Sequence, residues 1–182
     1  ETVRWADYGA DFYAAQAWND APDTRKLWLA WMNNWDYARQ TPATTWRGAM
    51  TLPRDLTLVR EANGAQLIQH PISELATARV LLGTWKDLTV NPGENPLAEL
   101  QGDTLELVAR FAIDQSTTAQ QFGLRVRVGA GEQTTVGYNR NNAILSVDRS
   151  NSGQLAPGFD AVQELALVPS DGVVELHLIV DR

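Results

Sequence analysis

Apolar and polar side chains alternate with a period of two in separate short runs, and no helical period of useful length interrupts them. Phe122, Leu124, Val126 and Val128 alternate with Gly123, Arg125 and Arg127. Leu105, Leu107, Ala109, Phe111 and Ile113 alternate with Glu106, Val108, Arg110 and Ala112, and Val174, Leu176, Leu178 and Val180 alternate with Glu175, His177, Ile179 and Asp181. Such runs put one face of a strand in a core and the other in water. Turn-forming clusters separate them: residues 91–96 (Asn-Pro-Gly-Glu-Asn-Pro), 129–132 and 151–153. Many short strands at this spacing predict an all-β fold, an antiparallel sandwich or barrel.

Tryptophan divides the chain. Six of the seven fall in the first 46 residues, leaving only Trp85 beyond. The aromatic segment reads as three strands, roughly Asp11 to Trp18, Lys26 to Met32 and Trp46 to Leu52, with turns at residues 19–23 and 41–44. Residues 53–76 read as a connector with strand-like pieces and a short helical turn at Ile72 to Ala76. From about Thr77 the sandwich pattern takes over. Three strands cannot bury their aromatic face alone, and the last strand runs apolar to Val180 and stops at Asp181-Arg182. Both features lead us to expect an incomplete chain.

Composition narrows the chemistry. A net charge of −7 supplies no basic stripe for phosphates, so nucleic acid is not an expected partner. No apolar run approaches the roughly 18 residues of a membrane span, and the first residues lack the pattern of a signal peptide. With no cysteine there is no disulfide, thiolate zinc site or cysteine nucleophile. His70 and His177 are too far apart to suggest a metal site, and His177 falls on the polar side of its strand.

Several blocks in order carry a resemblance. Residues 7–16, Asp-Tyr-Gly-Ala-Asp-Phe-Tyr-Ala-Ala-Gln, resemble the Asp-Tyr-Gly-x-Asp-Phe-Tyr-Ala-x-Gln signature of glycoside hydrolase family 32, the invertases, levanases and inulinases. Residues 30–35 with Tyr37 resemble the next strand of the same propeller blade. Residues 46–56 resemble the Trp-Arg-Gly-x-Met-Thr-Leu-Pro-Arg-Glu-Leu block, with Asp55 for the usual Glu. Residues 67–75 resemble the entry to the C-terminal domain, and residues 135–138 and 147–153 resemble its sandwich strands. The resemblance implies the last blade of a five-bladed β-propeller over residues 1–52, a connector over 53–76, and a truncated antiparallel β-sandwich over 77–182.

It also implies a retaining β-fructosidase acting on sucrose, levan or inulin through a carboxylate nucleophile and a carboxylic acid/base. Neither motif is here. Trp31-Met32-Asn33-Asn34-Trp35 imitates the nucleophile motif Trp-Met-Asn-Asp-Pro-Asn-Gly, but Asn34 stands in place of the Asp and Trp35 in place of the proline. The acid/base Glu-Cys dipeptide needs a cysteine, and Arg-Asp-Pro does not occur. No catalytic residue is therefore expected in this chain. Asp20 and Asp23 read as turn residues, Asp7 and Asp11 as structural groups at a strand start, and Asp36 as part of no marked pair.

For substrate contact the resemblance singles out Trp35, with Trp31 and Asn34 as further candidates beside it. An indole gives a sugar's C–H face an apolar wall and offers its N–H to a hydroxyl. Packing between blades is the alternative use of Trp35, and packing is the expected role of Trp18, Trp28 and Trp46. Trp85 reads as core before sugar platform; Trp85 and Tyr138 are the sandwich aromatics that do not read plainly as core. The resemblance implies no metal or organic cofactor; the expected partners are a fructose-containing saccharide and the remaining blades. It leaves a secreted or periplasmic location favoured. Two other readings stay open: a sandwich that braces the propeller or mediates oligomerisation, and a non-catalytic carbohydrate-binding module.

Overall fold

The computed structural model describes residues 3–62, 64–154, 157–159 and 161–181. Strands dominate, joined by two short 3-10 turns, and the chain divides into two compact units. The first comprises Glu1–Val80 with Gln154–Phe159, the second Leu81–Gly153 with Asp160–Arg182.

In the first unit β1 (Tyr13–Ala17), β2 (Leu27–Met32), β4 (Arg54–Glu61) and β5 (Gly64–Pro71) form an antiparallel sheet in chain order, with the two-residue β3 (Ala49–Met50) against β2. The 53–76 stretch, expected as a connector with strand-like pieces, thus supplies two eight-residue strands of this sheet. Its expected helical turn is the 3-10 segment Ser73–Ala78. The third expected strand, Trp46 to Leu52, shrinks to β3. Gly48 interrupts it at φ +84°, and the Thr51 side chain supplies a contact a longer ladder would have made. Its Oγ1 accepts the Ala30 N–H at 3.0 Å, and its own N–H donates to Ala30 O at 2.9 Å.

Arg54 at the start of β4 binds the sheet together. Its Nη2 donates to Asp7 Oδ2 at 2.7 Å and its Nη1 to Gln69 Oε1 at 3.0 Å, while its guanidinium lies 4.4 Å from the Phe12 ring centre. Gln69, on β5, also accepts the Trp28 indole N–H at 3.3 Å and donates to Ala6 O at 2.6 Å. Asp7 caps the Gly9 N–H at 2.7 Å. The expected structural role of Asp7 is what this geometry provides. Nearby, Arg25 donates to Asp55 at 2.8 Å and to both Glu74 oxygens, at 2.6 and 3.2 Å.

The second unit is a two-layer sandwich. One layer is β7 (Gln121–Val126), β8 (Gln133–Asn139), β9 (Ile144–Asn151) and β10 (Gln163–Ala166), antiparallel in the order β10-β9-β8-β7. The other pairs β6 (Leu105–Ala112) with β11 (Val173–Val180) in antiparallel register from Val173–Ala112 to Val180–Leu105. Val136 and Tyr138 from the first layer and Val174 and Leu176 from the second are buried together. Phe111 and Phe122, with ring centres 4.8 Å apart, bridge the two layers.

Three details depart from the sequence reading. Tyr138 is core, 2% exposed, because its hydroxyl reaches Leu167 O at 3.1 Å and so needs no water. Val128 lies outside its strand and is exposed, since Arg127 takes φ +54° and ends the pleat. His177 does sit on the outer face, but it is paired with Glu106 at 2.7 Å and is not simply solvated. Gly123 faces Gly137 across β7 and β8, where a Cβ would collide with Val136 O.

Two predictions follow from this packing. In the protein that carries this chain, Leu176→Ala should cost about 2–4 kcal/mol in denaturant unfolding, whereas Ile179→Ala on the outer face should cost well under about 1 kcal/mol. Equal costs would mean the two faces are misassigned. The hydrogen bond from Arg25, followed by the local backbone, holds the Glu74 carboxyl down to about 2 from an ordinary 4.5. The stabilisation is therefore full above the unfolded carboxyl's range and disappears as pH falls through about 2. Glu74→Gln should lower Tm slightly at pH 7, and the gap from the parent should close as pH drops below about 4.5; a gap that widens in acid would contradict the assignment.

Candidate functional site

A side-chain-tied turn lies just past β2. The chain turns through residues 33–38, closed by the Ala38 N–H donating to Asn34 O at 3.0 Å. Asn33 is 2% exposed; its Oδ1 accepts the Asn34 N–H at 2.9 Å, and its Nδ2 meets no acceptor among the described residues. Both ends of the Asn34 amide are engaged. Nδ2 donates to Asp11 Oδ1 at 2.9 Å and to Ala10 O at 3.3 Å, while Oδ1 accepts the Asp36 N–H at 3.0 Å. The buried Tyr37 hydroxyl donates to the same Asp11 oxygen, and the Tyr37 ring meets Phe159 edge-on at 5.5 Å.

This turn presents Trp35 to solvent, beside Trp31 of β2 and Tyr13 of β1. Trp31 and Trp35 lie 5.3 Å apart between ring centres, and Tyr13 meets them edge-on at 6.1 and 6.2 Å. Such tilted and edge-on pairs suit the quadrupoles of the rings and hold each against rotation. The β1–β2 register slips between Tyr13 and Gln16, where Ala14 takes φ +51°, a bulge of the kind that re-aims a neighbouring side chain. Gly48 supports the other side: a Cβ there would land against the Trp31 indole nitrogen. Trp35 remains 66% exposed and Tyr13 47%. An anchored, solvent-facing indole beside a phenol is suited to stacking on an apolar ligand face and donating a hydrogen bond at its edge.

Trp31, Asn34 and Trp35, singled out from the sequence, are thus brought together. Asp11 is also here, but its carboxylate is occupied by Tyr37 and Asn34. Asp20 and Asp23 both sit at positive φ in the β1–β2 connection, as turn residues do. Trp28 is half-buried through its contacts to Phe12 and Gln69. Trp18 and Trp46, expected in core or inter-blade packing, are exposed within this chain and so are not core, and Trp85, expected to be core, is about half exposed with its ring over Gly83. Among the described residues no group of three or more His, Asp or Glu side chains could hold a metal ion. Tyr13 and Tyr37, which fall within the resembling blocks, are not among the residues expected to touch substrate.

The Glycosyl hydrolases family 32 N-terminal domain matches residues 1–71, and the Glycosyl hydrolases family 32 C terminal matches residues 74–182. A levanase of Bacillus subtilis is 45% identical over 99% of this chain and 27% of its own length. An extracellular exo-inulinase of Aspergillus awamori is 32% identical over 100% of this chain and 34% of its own. The crystal structure of exo-inulinase from Aspergillus awamori superposes with a TM-score of 0.79 at 30% identity, covering 99% of this chain and 36% of that one. The chain therefore spans about a quarter to a third of the length of these relatives. With a domain match over more than half its residues, this chain belongs to glycoside hydrolase family 32.

Proposed function

We propose that this chain is the C-terminal part of a retaining β-fructosidase that releases fructosyl units from sucrose or β-fructans. The nucleophile and acid/base carboxylates lie outside it. Residues 1–52 open the last propeller blade, β4 and β5 extend its sheet through the 53–76 stretch, and residues 77–182 belong to the C-terminal sandwich. One observation carries the site: the exposed Trp35 indole, fixed between Trp31 and Tyr13 at the end of β2. In this reading Trp35 and Trp31 wall the fructose pocket, and Asn34 lies at its base.

The chemistry follows from this division. A retaining hydrolase needs two carboxyl groups about 5–5.5 Å apart, and the Asp11 and Asp7 carboxylates are committed to hydrogen bonds within the blade. The chain contributes a wall and not the reacting atoms. It positions the sugar so that upstream groups meet the glycosidic bond, and positioning of that kind lowers the barrier without bond-making by the wall itself. The partners are a fructose-containing saccharide and the other blades. An extracellular relative supports a secreted or periplasmic setting, and no described helix is long and apolar enough to cross a membrane.

The full-length protein should release fructose from sucrose, levan or inulin, measured as reducing sugar. No release from any of the three would overturn the reading. Trp35→Ala in that protein should lower kcat/KM at least about tenfold, the effect of losing one good pocket contact. Unchanged kinetics would return Trp35 to a packing role.

A further inference from the structure

We infer that Asp11 is a positioning residue, which sets the fructose pocket by holding the turn that carries Trp35. This rests on the pocket reading of Trp35 given above and deepens it. One carboxylate oxygen of Asp11 receives two donors, the Tyr37 hydroxyl and Asn34 Nδ2 at 2.9 Å. Those donors bracket Trp35 in the chain: Asn34 precedes it directly, and Tyr37 follows two residues later. The other end of the Asn34 amide takes the Asp36 N–H at 3.0 Å, which locks the residue on the far side of Trp35 as well. Asp11 is thus the point to which both flanks of the Trp35 peptide are tied. Hydrogen bonds to an ionised acceptor are shorter and stronger than neutral ones, so a carboxylate suits this anchor.

The tied turn also meets the second wall of the pocket. Asp11 lies two residues before Tyr13, the first residue of β1. Tyr13 then meets Trp31 and Trp35 edge-on. Anchoring the turn to Asp11 therefore fixes Trp35 relative to Tyr13, and not merely relative to its own strand. Tyr37 is 3% exposed and Asp11 part-buried, whereas Trp35 is 66% exposed, so the support is largely shielded while the surface it carries is open. This arrangement is what a pre-organised wall requires: the contacting side chain free to meet ligand, its support withdrawn from water.

The test is a double-mutant cycle in the full-length enzyme, with kcat and KM for sucrose measured well below each variant's melting temperature. Asp11→Ala should lower kcat/KM about tenfold, and Asp11→Asn, which keeps one oxygen for the two donors, should restore it to within about threefold of the parent. The combination Asp11→Ala with Trp35→Ala should be no worse than Trp35→Ala alone, because Asp11 acts through Trp35. Losses that multiply, or parent-like kinetics for Asp11→Ala, would overturn the proposal. Should Asp11→Ala fail to fold, Tyr37→Phe serves in the same cycle, with a loss of about threefold expected and again no further loss on top of Trp35→Ala. Parent-like kinetics for Trp35→Ala would instead sink the pocket reading itself, a result separable from any behaviour of the Asp11 variants.

Discussion

A single guanidinium organises the first unit. Arg54 reaches back to Asp7 before β1, across to Gln69 on β5, and lies against the Phe12 ring. Gln69 extends the web to Trp28 on β2 and to the backbone of Ala6. Four pieces of chain far apart in sequence are thereby fixed to one another by charge-assisted and amide hydrogen bonds. Among the described residues, removing Arg54 would leave the part-buried Asp7 carboxylate with the Gly9 N–H alone and the Gln69 amide oxygen with the Trp28 indole N–H alone, so two acceptors lose a charged donor at once. The placement of Asp11, Tyr13 and the turn after β2 depends on this frame, because all three follow from where the segment after Asp7 enters the sheet.

The two units use different means to become ordered. The sandwich relies on apolar contact: Val136, Tyr138, Val174 and Leu176 close a small core, with the Phe111–Phe122–Tyr138 ring series running through it. The first unit buries little, with Ala30, Tyr37 and Ala38 its buried apolar residues among those described, and is held mainly by directional polar contacts. Polar anchoring leaves large aromatic rings at the surface. That is a poor design for a free-standing sheet and a good one for a surface meant to meet something else.

Much of the fold was legible because strand alternation is a direct consequence of a half-buried sheet. β6, β7 and β11 lie where period-two runs placed them, and Val174 and Leu176 occupy the buried parity. What was not legible depended on single residues. Alternation carries on past Val126, but positive φ at Arg127 ends the strand before Val128. Tyr138 looked polar enough to surface, yet one carbonyl, Leu167 O, settles its hydroxyl inside. At the site, the sequence offered Trp31, Asn34 and Trp35 as neighbours along the chain. It could not reveal that Tyr13 and Asp11, some twenty residues away, complete the cluster, because β1 meets β2 through a bulge that no periodicity announces.

In the function proposed above, this chain supplies a sugar-facing wall while the reacting carboxylates come from elsewhere in the protein. A crystal structure of the full-length enzyme with fructose bound tests both halves at once. The sugar's C–H face should lie against the Trp35 indole at about 3.5–4 Å. Two carboxyl groups about 5–5.5 Å apart should stand at the anomeric carbon, neither from this chain. A sugar bound away from Trp35, with that indole packed between blades, or an attacking carboxylate drawn from residues 1–182, would contradict this proposal.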